Sequence, residues 1–440
     1  MLLEFRTKNY KSFREETVFS MVPAPKQKGL DYSVFSKKVG RNTYNCLSTA
    51  VVYGANASGK TNLIGAMDTF RMIMLRGNIK NADNAFNPNQ ASFSLELIPN
   101  TNAHDESTDF AIRFIDENLL VDYSISMDLG AFMDKDYPRK ILSEKLYINE
   151  KRVFERSEEL IIEFPDCIRL FLNSTSSKNA EAAYEIAQGS LNTTDLFLTS
   201  GFKTIFSQAL SSRIMNWIDN KFMVIYRSDA VHTIRTFVDP KDDTVYIEKT
   251  LTDAASAFGI QSNALGYKKI ENGKDLVLCS IFEDKKIIIP ADIFESYGTI
   301  RFVNEFPLVI DALLNGSTLV MDEFDASIHP MALMNIINIF HNDEVNKNHA
   351  QLVFNTHNPI FLDANLFRRD EIKFVERNDE THESTHYSLS DFKTSGPNGV
   401  RKGADYMKNY FISQYGAIKD IDFSPIIEKL ITRNEVTDHD

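Results

Sequence analysis

The chain has 440 residues, 43% hydrophobic and 25% charged, and its 61 acidic and 48 basic side chains give a formal net charge of −13. That balance argues against a protein whose main task is to hold nucleic acid, which calls for a basic surplus or stripe, and no run of about eighteen apolar residues is available to span a membrane. Length alone suggests two or three domains; Cys46, Cys167 and Cys279 share no metal-ligand spacing and read as reduced thiols, and Met1 to Arg6 lacks the apolar core of a secretion signal, so the cytoplasm is the expected compartment.

Leu2 to Met21 alternates as strands do, with Asn9-Tyr10-Lys11-Ser12 as a turn. An apolar run from Leu47 to Tyr53 then meets Gly54-Ala55-Asn56-Ala57-Ser58-Gly59-Lys60-Thr61, a complete G-x-x-x-x-G-K-[ST] string, and a helical stretch from Thr61 to about Leu75 follows. A strand that ends in a glycine loop and opens a helix aims several backbone N–H groups at one point, reinforced by the helix dipole. Such a nest binds a triphosphate, with Lys60 on the β/γ oxygens and the Thr61 hydroxyl on Mg²⁺.

From about Phe93 to Phe164 the chain is β-rich, with short alternating runs at Ser92 to Leu97, Phe110 to Phe114 and Lys145 to Ile148. From about Ile168 to Ser256 the pattern is mixed and mostly helical, including Glu181 to Gln188 and Phe202 to Ile218. A β-like pair (Leu276 to Phe282, Lys286 to Ile289) leads to a helix from about Thr299 to Leu314. Then come the strand Thr318-Leu319-Val320-Met321-Asp322-Glu323, a helix from about Pro330 to Phe340, and the strand Gln351 to Asn355. Strands alternating with helices predict an α/β fold of the P-loop type, a mainly parallel sheet flanked by helices, with an N-terminal antiparallel β lobe and a mostly helical insertion. The expected boundaries are 1–165 for the first lobe, 166–285 for the insertion and 286–440 for the second lobe. No internal repeat or long heptad segment is visible.

The strand 318–323 ends in two carboxylates. Asp322 is placed to hold Mg²⁺ through its water shell, and Glu323 to orient and activate an attacking water. Directly after them comes Phe324-Asp325-Ala326-Ser327-Ile328-His329-Pro330, and a second apolar strand ends in Phe354-Asn355-Thr356-His357-Asn358. In sequence, these parts resemble the D-loop and switch histidine of ATP-binding-cassette ATPases, on the RecF/SMC/OLD side of that superfamily, with the phosphate loop through Asn62-Leu63 in its usual form. More narrowly, Glu295-Ser296-Tyr297-Gly298-Thr299, Arg368-Arg369-Asp370-Glu371-Ile372 and Tyr415-Gly416-Ala417-Ile418 resemble the AAA-type ATPases of bacterial anti-phage and abortive-infection systems, such as RloA, AbiL and the ATPase of PARIS.

The resemblance implies ATP and Mg²⁺ as cofactors and a homodimer, or a higher homo-oligomer, that sandwiches ATP. Glu323 and His357 would be catalytic, Asp325 would sit in a D-loop that crosses to the second subunit, and Ser296, Gly298 and Thr299 would cap the γ-phosphate held by the opposite protomer. Tyr297 stands where transporter-type signatures carry a glycine. Gln90 is the nearest candidate for a glutamine reaching Mg²⁺, in a loop-like context; the Asn9 to Phe13 turn would lie against the base or ribose; Arg368 and Arg369 either read the nucleotide state or pair with acids. The implied function is an ATP-hydrolysing switch or sensor in anti-phage defence, set off by a phage protein and controlling a separately encoded, nuclease-like effector. The alternative is a RecF-like repair or recombination ATPase acting on DNA. No Glu-Gly dipeptide of the kind a TOPRIM nuclease needs occurs in the chain, so the acidic triplets at 134–136 and 420–422 read as solvated loops.

Overall fold

Helix α1 (Lys60–Arg76) buries more than one face, because it lies between two sheets of different kinds. The computed structural model describes residues 1–25, 27, 29–80, 95–103, 106–132, 134, 137–173, 180–226, 245–247, 253, 256, 264–269, 276–282, 287–326, 328–394, 399–401, 403–419 and 422–437. Gln90, Lys286, Ser327 and parts of the runs 92–97, 134–136 and 420–422 lie outside the described residues.

The first sheet is antiparallel throughout. Strands β1 (Leu2–Lys8) and β2 (Thr17–Ser20) flank the predicted turn. After the hairpin β3 (Val34–Val39) and β4 (Asn42–Leu47) and the strand β5 (Thr49–Tyr53), the chain adds β6 (Thr108–Asp116), β7 (Leu119–Asp128), β8 (Lys140–Ile148), β9 (Lys151–Arg156) and β10 (Leu160–Ile162). The order is β10-β9-β8-β7-β6-β1-β2. In β7, Val121, Tyr123, Ile125 and Met127 point inward while the Asp and Ser between them face outward, the period-2 pattern of a sheet wet on one side. Phe5, Phe110 and Tyr123 of this sheet meet Phe70 of α1 with ring centroids 5.8 to 6.3 Å apart. Leu95 and Leu97, expected in a strand, are buried without joining a ladder among the described residues.

The helices α2 (Ala180–Gly189) and α3 (Gln208–Asn220) follow, and the helical expectation for 166–285 holds that far. The predicted stretch Phe202 to Ile218 is broken at Ser207, whose extended backbone and hydroxyl cap α3 at Leu210 N (3.1 Å). Between Asn220 and Ala291 the described elements are strands. β11 (Phe222–Ile225) joins the central sheet, and β12 (Val245–Ile247), β13 (Ala264–Lys269), β14 (Leu276–Phe282) and β15 (Ile287–Pro290) form a small antiparallel sheet.

The last block supplies α4 (Ala291–Phe294), α5 (Tyr297–Asn315), β16 (Thr318–Met321), α6 (Pro330–His341), β17 (Gln351–Asn355), β18 (Ile372–Arg377), β19 (Ser384–Ser388), α7 (Tyr406–Phe411) and α8 (Ser424–Thr437). The central sheet runs β11-β16-β17-β5-β18-β19 and is parallel except at β19. β5, β16 and β17 are buried along their whole length, as parallel strands covered on both faces must be. Val52, Val320, Val353 and Val375 face α1 and the antiparallel sheet; Val51, Tyr53, Leu319, Met321 and Phe354 face a second core with α5 and α6.

Gln351 clamps the two sheets together. Its fully buried carboxamide accepts from Leu2 N (2.6 Å) and the Thr318 hydroxyl (2.9 Å) and donates to Leu2 O and Leu47 O (3.0 Å each). Gln351→Leu removes the acceptor of Leu2 N and of the Thr318 hydroxyl and a donor to Leu47 O, and is expected to cost about 3 kcal/mol of unfolding free energy in urea titration. An unchanged midpoint and slope would show that the clamp contributes nothing.

Candidate active site

The central strand β5 delivers Gly54 to the carboxyl edge of the sheet, between β17 and β18, where ligands of open α/β sheets bind. Two glycines let the loop close. A Cβ on Gly54 would fall on the Val375 carbonyl and the Ser58 hydroxyl. Gly59 has φ +111°, and a Cβ there would stand 2.5 Å from Ser384 Oγ and 2.8 Å from Ser12 Oγ. Ala57 also takes a positive φ of 61°, while Asn56 and Ala57 lie exposed and Ala55 half-buried on the rim. The loop is braced from outside: Ser384 Oγ donates to Ser58 O (2.6 Å), and Asn62 Nδ2 donates to Ser12 Oγ (2.8 Å). The Asn9 to Phe13 turn therefore meets the loop through Ser12.

Lys60 opens α1 and folds over the loop, donating to Gly54 O (2.8 Å) and Ala55 O (3.0 Å). Burial pushes its ammonium down to about 8, against the opposing pull of Asp322, Glu323 and Asp325. A bound triphosphate favours the charged form, so binding takes up a proton whenever Lys60 has lost it. ATP affinity is thus expected to be full below pH 8 and to fall as pH rises above it, by up to about tenfold per unit. Titration with a fluorescent ATP analogue between pH 7 and 9.5 checks this, and a flat profile would contradict it.

The carboxylates stand opposite. Asp322, almost fully buried at the end of β16, accepts from the Thr61 hydroxyl (3.1 Å) and from Asn355 Nδ2 (2.5 Å) on the same oxygen, Oδ1. The other end of that carboxamide, Asn355 Oδ1, accepts from the backbone N–H of Glu323. Glu323 is half-buried and has φ +52°, a left-handed conformation that a non-glycine residue keeps only when its surroundings impose it. The Glu323 carbonyl accepts from Arg301 Nη2 (2.6 Å) and Ala326 N (3.0 Å). Sequence reasoning assigned no role to Asn355 or Arg301. Asn355 could have been suspected, as a polar residue closing a strand of apolar ones two positions before His357.

Asp325 does not project freely. Its carboxylate accepts from the Thr356 hydroxyl (2.6 Å), and burial pushes its carboxyl up. His357 follows at the exposed end of β17, next to the phosphate loop; partial desolvation, then the Lys60 charge, lower its pKa. Ser296, Gly298 and Thr299 lie at the tip of α5, where Ser296 Oγ accepts from Thr299 N (3.1 Å) as the helix cap. Their described hydrogen bonds stay within that turn. Of the predicted groups, the structure brings together residues 54–62, Asp322, Glu323, Asp325 and His357, with the signature residues at a separate helix tip. Arg368 is paired with Asp370 through two contacts (2.9 and 3.0 Å), and Arg369 donates to Leu389 O and Phe392 O, so both are structural.

These residues fit a triphosphate and a divalent cation. The glycine cradle has no room for side chains, the Ser58 hydroxyl is buried with no partner among the described residues, and a hydroxyl and a carboxylate meet at Thr61 and Asp322. Mg²⁺ bound there would neutralise phosphate charge. Among the described residues, no cluster of three or more His, Cys, Asp or Glu forms another metal site, and no helix is long and apolar enough to cross a membrane.

The family described as "AAA domain, putative AbiEii toxin, Type IV TA system" matches residues 50–183 and 218–363, well over half of the chain. The chain belongs to this AAA family. Residues 54–62, Ser296, Gly298, Thr299, Asp322, Glu323, Asp325 and His357 fall inside the two matched segments, while the Asn9 to Phe13 turn, Arg368 and Arg369 lie outside them. Among solved structures, this AAA chain is similar to an SMC head bound to the C-winged helix domain of ScpA (12% identity, TM-score 0.38, covering 89% of this chain and 99% of that one). It is also similar to the SMC head domain from Thermotoga maritima (14% identity, TM-score 0.33, covering 88% and 98%). No curated protein matches the chain.

Proposed function

We propose that this AAA-family chain is an ATP-hydrolysing switch of a bacterial anti-phage system, akin to RloA, AbiL and the PARIS ATPase, which dimerises around ATP and Mg²⁺ and controls a separately encoded effector. One observation carries the reading: the Asn355 carboxamide ties Asp322 to the backbone of Glu323 while Thr61, from the phosphate loop, reaches the same Asp322 oxygen. Lys60 and the loop N–H groups bind the phosphates, and Thr61 and Asp322 hold the cation. Glu323 orients the attacking water and accepts its proton, with His357 beside the γ-phosphate.

A second copy would complete the site with Ser296, Gly298 and Thr299. Two features support that. The helix tip is presented outward, with Tyr297 58% exposed, and Met331, at the start of the helix after the D-loop, is 58% exposed as well. The expected output runs through a separately encoded protein partner.

Capture of Glu323→Gln protein from its native host in the presence of ATP tests the output. A stoichiometric small protein with nuclease or toxin features supports the switch. Recovery of DNA with no protein partner would favour the repair-type alternative.

A further inference from the structure

The helix that carries the predicted phosphate cap contains Pro307, which lacks the N–H needed to bond the preceding turn. The two halves of α5 pack in different places. Leu308, Val309 and Ala312 belong to the core under the central sheet, whereas Phe302 and Val303 form a small cluster with Leu265, backed by Leu278; Phe306 packs against both. Leu265 and Leu278 lie on β13 and β14, so the first half of α5 is built as one unit with the four-stranded sheet. Glu295 strengthens that unit by accepting from the Ser280 hydroxyl of β14 (2.6 Å).

Arg301 reaches out of this unit to the reaction centre. It is 6% exposed; Nε of its guanidinium donates to Glu305 Oε1 one turn on (2.8 Å), and Nη2 donates to the carbonyl of Glu323 (2.6 Å). Glu305, itself buried, fixes the direction of the fork. Glu323 is thereby held from both sides of its left-handed backbone, at N–H by Asn355 and at C=O by Arg301. A non-glycine residue at φ +52° relaxes toward negative φ when such restraints are lost, and its side chain swings with the backbone.

We propose that Arg301 is a positioning residue for the general base: it holds the Glu323 backbone in the hydrolytic conformation and so couples the small four-stranded sheet, and whatever engages the tip of α5, to ATP hydrolysis in the same protomer. The inference rests on the ATPase reading above. Arg301 acts through the Glu323 backbone, whose carbonyl it binds. It sets where the Glu323 carboxylate stands, and a shift of the sheet unit about Pro307 is carried to that carboxylate through one guanidinium.

Turnover and ATP affinity of the full chain test this with wild type, Arg301→Ala, Glu323→Gln and the double variant. Arg301→Ala is expected to lower kcat on the order of 10- to 100-fold while the Kd for ATP stays within about twofold, since the loop is untouched. The double variant is expected to turn over no more slowly than Glu323→Gln alone, because both changes act through one carboxylate. An unchanged kcat in Arg301→Ala, or losses that multiply in the double variant, overturns the proposal. Arg301→Lys serves if the alanine variant does not fold: a single ammonium cannot serve Glu305 and the Glu323 carbonyl together, so a smaller loss confined to kcat is expected, and wild-type kcat overturns the proposal. Failure of the underlying reading would look different, with wild type itself inactive or indifferent to Glu323→Gln, and it would remove this inference too.

Discussion

Glu323→Gln is expected to slow ATP turnover on the order of 100- to 1000-fold, about 3 to 4 kcal/mol in barrier height, while ATP binding persists. The amide matches the carboxylate in size and cannot take a proton from water. Asn355 and Arg301 hold Glu323 through its backbone N–H and C=O, and those two contacts do not depend on the side-chain charge. Thr61, Asp322 and Lys60 keep their places, so the phosphate and cation site stays intact. The variant should therefore accumulate in the ATP-bound form. A single-turnover assay with radiolabelled ATP separates binding from chemistry, and wild-type turnover by the variant would remove Glu323 from the role of base.

Glu144→Leu is expected to destabilise the fold by about 3 to 5 kcal/mol, lowering the thermal midpoint by on the order of 10 °C. Glu144 is fully buried under the antiparallel sheet. Its carboxylate accepts from Phe197 N (2.7 Å), Leu198 N (2.9 Å) and the Tyr123 hydroxyl (2.9 Å), with Arg156 Nη1 at 3.5 Å. Arg156 in turn donates to Asp195 O and Asn192 O, so one buried pair pins the segment before α3 to β8 and β9. Burial pushes the Glu144 carboxyl up even beside Arg156, which shows that desolvation outweighs the pairing. The pair is costly to form and costlier to break, since leucine leaves two N–H groups and the Tyr123 hydroxyl without this acceptor and Arg156 without its carboxylate. A circular-dichroism melt within about 2 °C of wild type would refute this account of residues 191–198.

The parts of the site that are consecutive in the chain were legible in the sequence. The run 54–61 and the pair Asp322-Glu323 each need their residue types side by side at a strand end, and both stand where the sequence put them. Asn355 and Arg301 were not, because their meaning lies in contacts with residues 32 or 33 and 22 positions away, and neither belongs to a string that carries chemistry alone. Within the fold, Leu47 to Tyr53 reads as one apolar run, yet Ser48 separates two strands of different sheets by bonding its N–H to Ser33 O (2.8 Å). β11 was hidden by its four-residue length directly after a helix, and only its parallel pairing with β16 defines it.

The central claim is that two copies close around ATP, and the mass of Glu323→Gln protein in solution tests it most directly. Sedimentation with saturating ATP and Mg²⁺ should give at least twice the protomer mass of 50.1 kDa, with the monomer restored in a Lys60→Ala/Glu323→Gln double variant that cannot hold the nucleotide. An unchanged monomer, with ATP binding verified in the same sample, would contradict the account.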